Sequence, residues 1–84
     1  MEDRLAIALS HDEALVLFEF FSRFRTENRL SLKNNAEFLA LSSVSAQIDK
    51  LLVEPLRAEY PELLSAARER VAEGFEGLGP GVEP

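Results

Sequence analysis

Residues 10–27 read SHDEALVLFEFFSRFRTE and decide the fold of the chain. Ser10, followed three residues later by Glu13, has the spacing of a capping box, which closes the first turn of a helix. The acidic residues of that turn place negative charge at the positive end of the helix dipole. We therefore predict a first helix from His11 to about Glu27.

The predicted first helix is unusually rich in apolar side chains. At about 100° per residue they cover a wide arc of its surface; these residues are Ala14, Leu15, Leu17, Phe18, Phe20, Phe21 and Phe24. Because Phe18 and Phe20 lie about 200° apart around the axis, one flat contact cannot bury both. We expect more apolar surface here than one chain can cover, and hence a homodimer interface. The candidate interface residues are Val16, Leu17, Phe20, Phe21 and Phe24.

A second helix is predicted after a polar connection. Asn34 is a good N-cap, and with Glu37 it repeats the capping-box spacing. The helix should run from about Asn35 to Val53, because Pro55 cannot continue it. Its expected core face is Phe38, Leu41, Val44, Ile48, Leu51 and Leu52.

The third helix should begin near Pro61, a residue favoured in the first turn. Gly74 and Gly77 mark its end. Its expected core face is Tyr60, Leu63, Leu64, Ala67, Val71 and Phe75. We expect one helical domain over residues 1–76 and a disordered tail over residues 77–84.

Two short segments have the pattern of strands. Leu5, Ile7 and Leu9 alternate with alanines, a period of two, and Leu30–Leu32 alternates in the same way. Paired within one chain they would form a parallel crossover around the first helix. Pairing across a two-fold axis is equally open. The expected fold class is mainly α, a three-helix domain with one or two short extended segments.

Composition limits the possible functions. The 84 residues suffice for one domain, and the absence of Cys excludes disulfides and thiolate metal sites. A net charge of −6 disfavours nucleic acid and anionic membranes as partners. Residues 1–53 carry 8 acids and 6 bases, and residues 54–84 carry 7 acids and 3 bases. A basic protein partner would therefore meet the last third of the chain. With no signal peptide or apolar span visible, we expect a cytoplasmic protein.

Two polar groups were weighed as candidate sites. His11, the single histidine, could serve as a general base or as half of a metal site, or it could simply belong to the start of a helix. A basic cluster could bind phosphate, or it could be favourable charge at a helix end and in a loop; its members are Arg23, Arg25, Arg29 and Lys33. We favour the second interpretation in both cases and expect no catalytic, metal or cofactor residue.

The order of short strand, helix, loop and helix over residues 4–53 resembles the ribbon-helix-helix repressors and antitoxins. The resemblance rests on Leu5, Ile7, Leu9 and the two helices. It implies a DNA-binding regulator, but the alternate residues that read DNA in that family are here Arg4, Ala6, Ala8 and Ser10. No functional residue is carried over.

The function expected from the sequence is a non-catalytic protein-interaction module. It would be a small acidic homodimer of the antitoxin or immunity-protein kind, with itself and a basic protein as partners. A ribbon-helix-helix-like DNA-binding regulator is one alternative. An enzyme that uses His11 is the other.

Overall fold

The computed structural model of the chain describes residues 3–27 and 30–83. Three α-helices make up the fold, and a single 3-10 turn at Glu54–Leu56 joins the second to the third. The helices are α1 at His11–Glu27, α2 at Asn35–Asp49 and α3 at Tyr60–Val71. The predicted mainly-α, three-helix class is confirmed.

Both predicted capping boxes are present. At α1 the Ser10 N–H donates to the Glu13 carboxylate at 2.8 Å, and the Glu13 N–H donates to Ser10 Oγ at 3.0 Å. At α2 the Asn34 N–H donates to the Glu37 carboxylate at 3.2 Å, and the Asn34 side chain accepts the Ala36 N–H at 2.7 Å. These bonds satisfy amide groups that a helix start otherwise leaves without partners. The starts of both helices are therefore encoded locally.

α1 packs against both other helices and runs antiparallel to each. Asp12, at the start of α1, bonds Arg70 near the end of α3, and Glu19 bonds Tyr60 at the start of α3. Against α2, Arg25 near the end of α1 reaches Ser45. α2 and α3 share almost no contact with each other, so α1 is the central element of the fold.

The core is small and lies where α2 and α3 meet α1. Its buried apolar residues are Ala14, Leu15, Phe21, Ile48, Leu52, Leu64 and Ala67. Partly buried side chains surround it, among them Phe18, whose ring meets the edge of Tyr60 with 6.5 Å between ring centres. Such T-shaped pairs are favourable between aromatic rings. Tyr60 at the start of α3 thus covers one ring of α1.

The second helix ends earlier than predicted. α2 stops at Asp49, with Lys50 as its C-cap, rather than at Val53. The chain then turns so that the 3-10 turn Glu54–Leu56, which contains Pro55, packs against α3. Pro55 limits how far α2 can extend, but the helix ends before this limit. It ends where the chain turns so that the 3-10 turn can pack against α3.

The predicted core faces of α2 and α3 are partly wrong. Phe38, Val44 and Leu51 are exposed, as are Val71 and Phe75. Val71 and Phe75 follow Arg70, which bonds the start of α1, so no part of α1 lies opposite them. On α2, the covered side chains are those directed at α1, because α3 has almost no contact with that helix.

No strand is present in residues 3–27 or 30–83, so the predicted strands are not formed within this chain. The two segments lie at opposite ends of α1, a helix of 17 residues that is about 25 Å long. Residues 30–32 therefore do not come beside residues 5–9. A parallel crossover within one chain is therefore wrong.

Replacing Asn34 by Ala should destabilise the protein by about 1 kcal/mol, because Asn34 holds the α2 capping box. Urea unfolding at one fixed protein concentration measures the loss. Asn35→Ala is the matched control, since no hydrogen bond of the Asn35 side chain exists among the described residues. Equal destabilisation by both variants would contradict the capping role.

Candidate functional site

An apolar groove of about 550 Å³ lies between the segment that precedes α1 and the second half of α2. We call it the apolar groove; its lining is Leu5, Ile7, Ala8, Leu9, Ser10, His11, Ala14, Val44, Gln47, Ile48, Leu51 and Leu52. The buried residues Ala14, Ile48 and Leu52 belong to both the groove and the core. His11 is its one titratable residue among the described parts of the chain.

The walls of the apolar groove are uncovered. Leu5 is 93% exposed, Ile7 is 78% exposed and Leu51 is 73% exposed, and Leu9 and Val44 are exposed as well. Large aliphatic side chains are ordinarily among the most buried in a protein, and contiguous exposed apolar patches mark interaction sites. This groove is therefore the candidate functional site.

An ion pair and a hydrogen bond fix the start of α1 beside the groove. Arg70 donates to both carboxylate oxygens of Asp12, from Nε at 2.6 Å and from a terminal nitrogen at 2.9 Å. His11 Nε2 bonds the carboxylate of Glu54. Together with the Ser10 cap, these bonds fix the position of the start of α1, where the N-terminal segment joins the helix.

The pKa values of the groups in these pairs shift in the directions that the pairing predicts. The bond from Arg70 lowers the pKa of Asp12, and the bond to Asp12 raises the pKa of Arg70. The pKa of Glu54 is lowered first by its own backbone N–H and then by the His11 ring. Both carboxylates are thus held in their charged form.

The pairing of His11 with Glu54 was not predicted from the sequence. The two residues are 43 positions apart, and Glu54 belongs to the 3-10 turn, so no local spacing signals the contact. A histidine oriented by a carboxylate is the arrangement that general-base catalysis uses. However, Ser10, the nearest hydroxyl in sequence, accepts the Glu13 N–H, and no hydrogen bond among the described residues joins it to His11. Ser10 is therefore not positioned as a nucleophile for this pair.

A further polar contact joins α1 to α3 away from the groove. The Tyr60 hydroxyl donates to Glu19 at 2.8 Å. Burial first, and then the bond to Glu19, raise the pKa of Tyr60 well above its ordinary value. The phenol consequently remains a neutral donor at physiological pH and serves to fasten α3 to α1.

The α1 residues predicted as a dimer interface are mostly covered within the chain. Phe21 is buried in the core, and Val16, Leu17 and Phe20 pack against it. Phe24 is also half-buried. The expectation that α1 carries the surplus apolar surface is therefore corrected. A single contact cannot cover the apolar arc of α1, but α2 and α3 provide two contacts within the same chain.

Arg23 and Arg25 of the predicted basic cluster have partners inside the chain. Arg25 donates to the buried Ser45 at 2.7 Å. Arg23 lies 3.9 Å from Glu27 and 5.8 Å above the ring centre of Phe20. Arg29 lies outside the described residues. These contacts favour a structural role for the two arginines over phosphate binding.

The total surface area shows how incompletely the chain buries its own surface. It exposes 7196 Å² at a mass of 9.4 kDa, whereas a compact monomer of that mass exposes about 5,000 Å². The radius of gyration is 14.3 Å, against about 12 Å for a compact domain of 84 residues. The fold is therefore an open arrangement with surface available for a partner.

No protein-family model matches the chain, and no curated protein or solved structure is similar enough to give a match. Within residues 3–27 and 30–83, no helix has the length and apolar character needed to cross a bilayer.

Asp12→Asn should lower stability at neutral pH, and its difference from the wild type should shrink as the pH falls. The lowered pKa of Asp12 means that its contribution is fully present above the ordinary value of 3.8 and is lost below it, as the carboxylate takes up a proton. Urea midpoints between pH 7 and pH 3 measure the effect.

Glu76→Gln is the control, because Glu76 has no hydrogen bond or ion pair among the described residues and should leave the profile unchanged. A destabilisation by Asp12→Asn that stayed constant across this pH range would contradict the assignment to the Arg70 pair.

Proposed function

We propose that this protein is a non-catalytic interaction module that forms a homodimer, and that the apolar groove is the surface on which two copies meet. The observation that carries the proposal is the set of uncovered aliphatic side chains around the groove, led by Leu5, Ile7 and Leu51. This proposal places the interface beside α2 rather than on α1.

The surface area of the chain supports a second copy as the occupant. Its exposed area exceeds that of a compact monomer by roughly 2,000 Å². A standard interface buries about 800 Å² on each partner. The excess exposed area is thus larger than the area that one partner buries in a standard interface.

The distribution of charge also supports self-association at this surface. Two copies with a net charge of −6 repel each other, so they can meet only where acidic side chains are absent. Within residues 3–27 and 30–83, no carboxylate lines the groove. Depletion of charge at the centre is typical of interfaces. The proposed dimer also leaves the acidic last third of the chain free for a basic protein partner.

The contact between His11 and Glu54 favours an acid–base enzyme as a second candidate function. It requires a substrate that enters the apolar groove and a nucleophile, such as water, that His11 can activate. Turnover of a small ester or amide that His11→Asn abolishes, with dimer formation unchanged, would support this candidate. Equal rates for His11→Asn and the wild type would exclude it.

Leu51→Asp should convert the dimer to a monomer at concentrations where the wild type is dimeric. A carboxylate inside an apolar interface loses water without gaining a partner, and we expect at least a tenfold rise in the dissociation constant, equivalent to about 1.4 kcal/mol. Size-exclusion chromatography with light scattering measures the mass against the 9.4 kDa chain.

Leu56→Asp is the matched control. Leu56 is 90% exposed but lies outside the groove, so its replacement should leave the dimer intact. A wild-type protein that remained monomeric at millimolar concentration would overturn the proposal.

A further inference from the structure

A second pocket, of about 200 Å³, lies between the second half of α1 and α2. We call it the aromatic pocket, because Phe21 and Phe24 of α1 and Phe38 and Leu41 of α2 supply its apolar walls. Among the described residues, its lining shares no member with that of the apolar groove. It is smaller than a pocket for a drug-sized molecule, so it suits a ligand with one aromatic ring.

The space exists because the middle of α2 carries small side chains on this side. Ser42, Ser45 and Ala46 all line the pocket. Phe38 lies seven residues before Ser45 and therefore on the same side of the helix. Its ring remains 50% exposed, so an aromatic surface at the pocket is available to a ligand.

Two opposite charges also line the aromatic pocket, Arg25 of α1 and Asp49, the last residue of α2. Among the described residues no ion pair joins them, and Arg25 donates instead to the buried hydroxyl of Ser45 at 2.7 Å. Asp49 has no hydrogen bond or ion pair with any described residue. The pocket therefore presents a cation and an anion that do not neutralise each other directly.

The bond to Ser45 positions the guanidinium for a further contact. A guanidinium has five N–H donors, and Ser45 is the one hydrogen-bond partner of Arg25 among the described residues. The remaining donors are in the planar arrangement that binds a carboxylate through two parallel bonds.

The spacing of the two charges suits a ligand that carries both signs. Asp49 follows Ser45 by four residues, so the two side chains are neighbours on α2, about 5–6 Å apart. Arg25 is bonded to the first of them. Charge-assisted bonds of about 2.8 Å to each side can therefore be made by a carboxylate and an ammonium group on one carbon atom.

We infer that the aromatic pocket binds a free aromatic amino acid, with its ring among the phenylalanines, its carboxylate on Arg25 and its ammonium group on Asp49. Aromatic rings favour the edge-to-face contacts that such walls offer. A ligand with a carboxylate alone would leave Asp49 unpaired, and one with an ammonium group alone would leave Arg25 without a carboxylate. The site is separate from the proposed dimer surface, so the inference does not rest on the homodimer.

Titration of the ¹⁵N-labelled full chain with L-phenylalanine tests the site. We expect saturable amide shifts confined to residues 21–25 and 38–49. Half-saturation should occur at roughly 5 mM or below, which is ordinary for a ligand of about twelve non-hydrogen atoms. No saturation up to about 50 mM would overturn the inference, as would shifts that map to the apolar groove instead.

Two related compounds test the recognition of both charges. N-acetyl-L-phenylalanine has no ammonium group, and L-phenylalaninamide has no carboxylate. Each should bind at least about tenfold more weakly than L-phenylalanine, because a charge-assisted bond is lost and the charge on the protein is left unpaired. Equal affinity for all three compounds would contradict the assigned contacts.

Asp49→Asn should remove most of the preference for L-phenylalanine over its N-acetyl derivative. Asp49 is exposed and has no bond within the described chain, so the variant should fold. Glu62→Gln is the control, because Glu62 is equally without such a bond and lies outside the pocket. A preference that Asp49→Asn left unchanged would show that the ammonium group binds elsewhere and would overturn the inference.

Phe38→Ala should weaken the binding of L-phenylalanine by about threefold or more, since one aromatic wall is lost. Phe75→Ala is the matched control, because Phe75 is 67% exposed and lies outside the pocket. Equal affinities of the two variants would contradict the placement of the ring in the aromatic pocket.

Discussion

The antiparallel packing of α2 and α3 on the two sides of α1 is the constraint on which the rest of the structure depends. α1 supplies Ala14, Leu15 and Phe21 to the core, whereas each flanking helix supplies buried residues only from the side that meets α1. Because α2 and α3 share almost no contact, the fold has no closed third interface. Because α1 is covered on both sides, a helix with so wide an apolar arc can fold within one chain.

The open side of this arrangement creates the candidate site. α1 covers one side of α2 and leaves the neighbouring surface of α2 exposed. The segment before α1 lies along this exposed surface and forms the apolar groove with it. The Ser10 cap, the hydrogen bond of His11 to Glu54 and the ion pair of Asp12 with Arg70 fix where the segment leaves α1. These polar contacts thus set the direction in which the apolar segment before α1 runs. The groove therefore depends on how α1 begins.

Local signals in the sequence predicted the helix starts well, because a capping box involves residues only three apart. The start of α1 at His11 and of α2 at Asn35 agree with the prediction, and α1 also ends at Glu27 as predicted. Burial depends on which elements come together, which no local pattern contains. For that reason the surplus apolar surface was expected on α1, whereas it lies around Ile7 and Leu51. The alternation at Leu5–Leu9 was visible in the sequence, but its place beside α2 was not.

The charge of the chain and its apolar groove act together. A net charge of −6 opposes contact between copies over most of the surface, and the repulsion is weakest where the lining has no carboxylate. If the rest of the surface carried no repulsive charge, the exposed aliphatic side chains would favour non-specific aggregation. In the proposed homodimer, burial of Leu5, Ile7 and Leu51 would oppose this repulsion at the groove, and the acidic surface elsewhere would disfavour other contacts between copies.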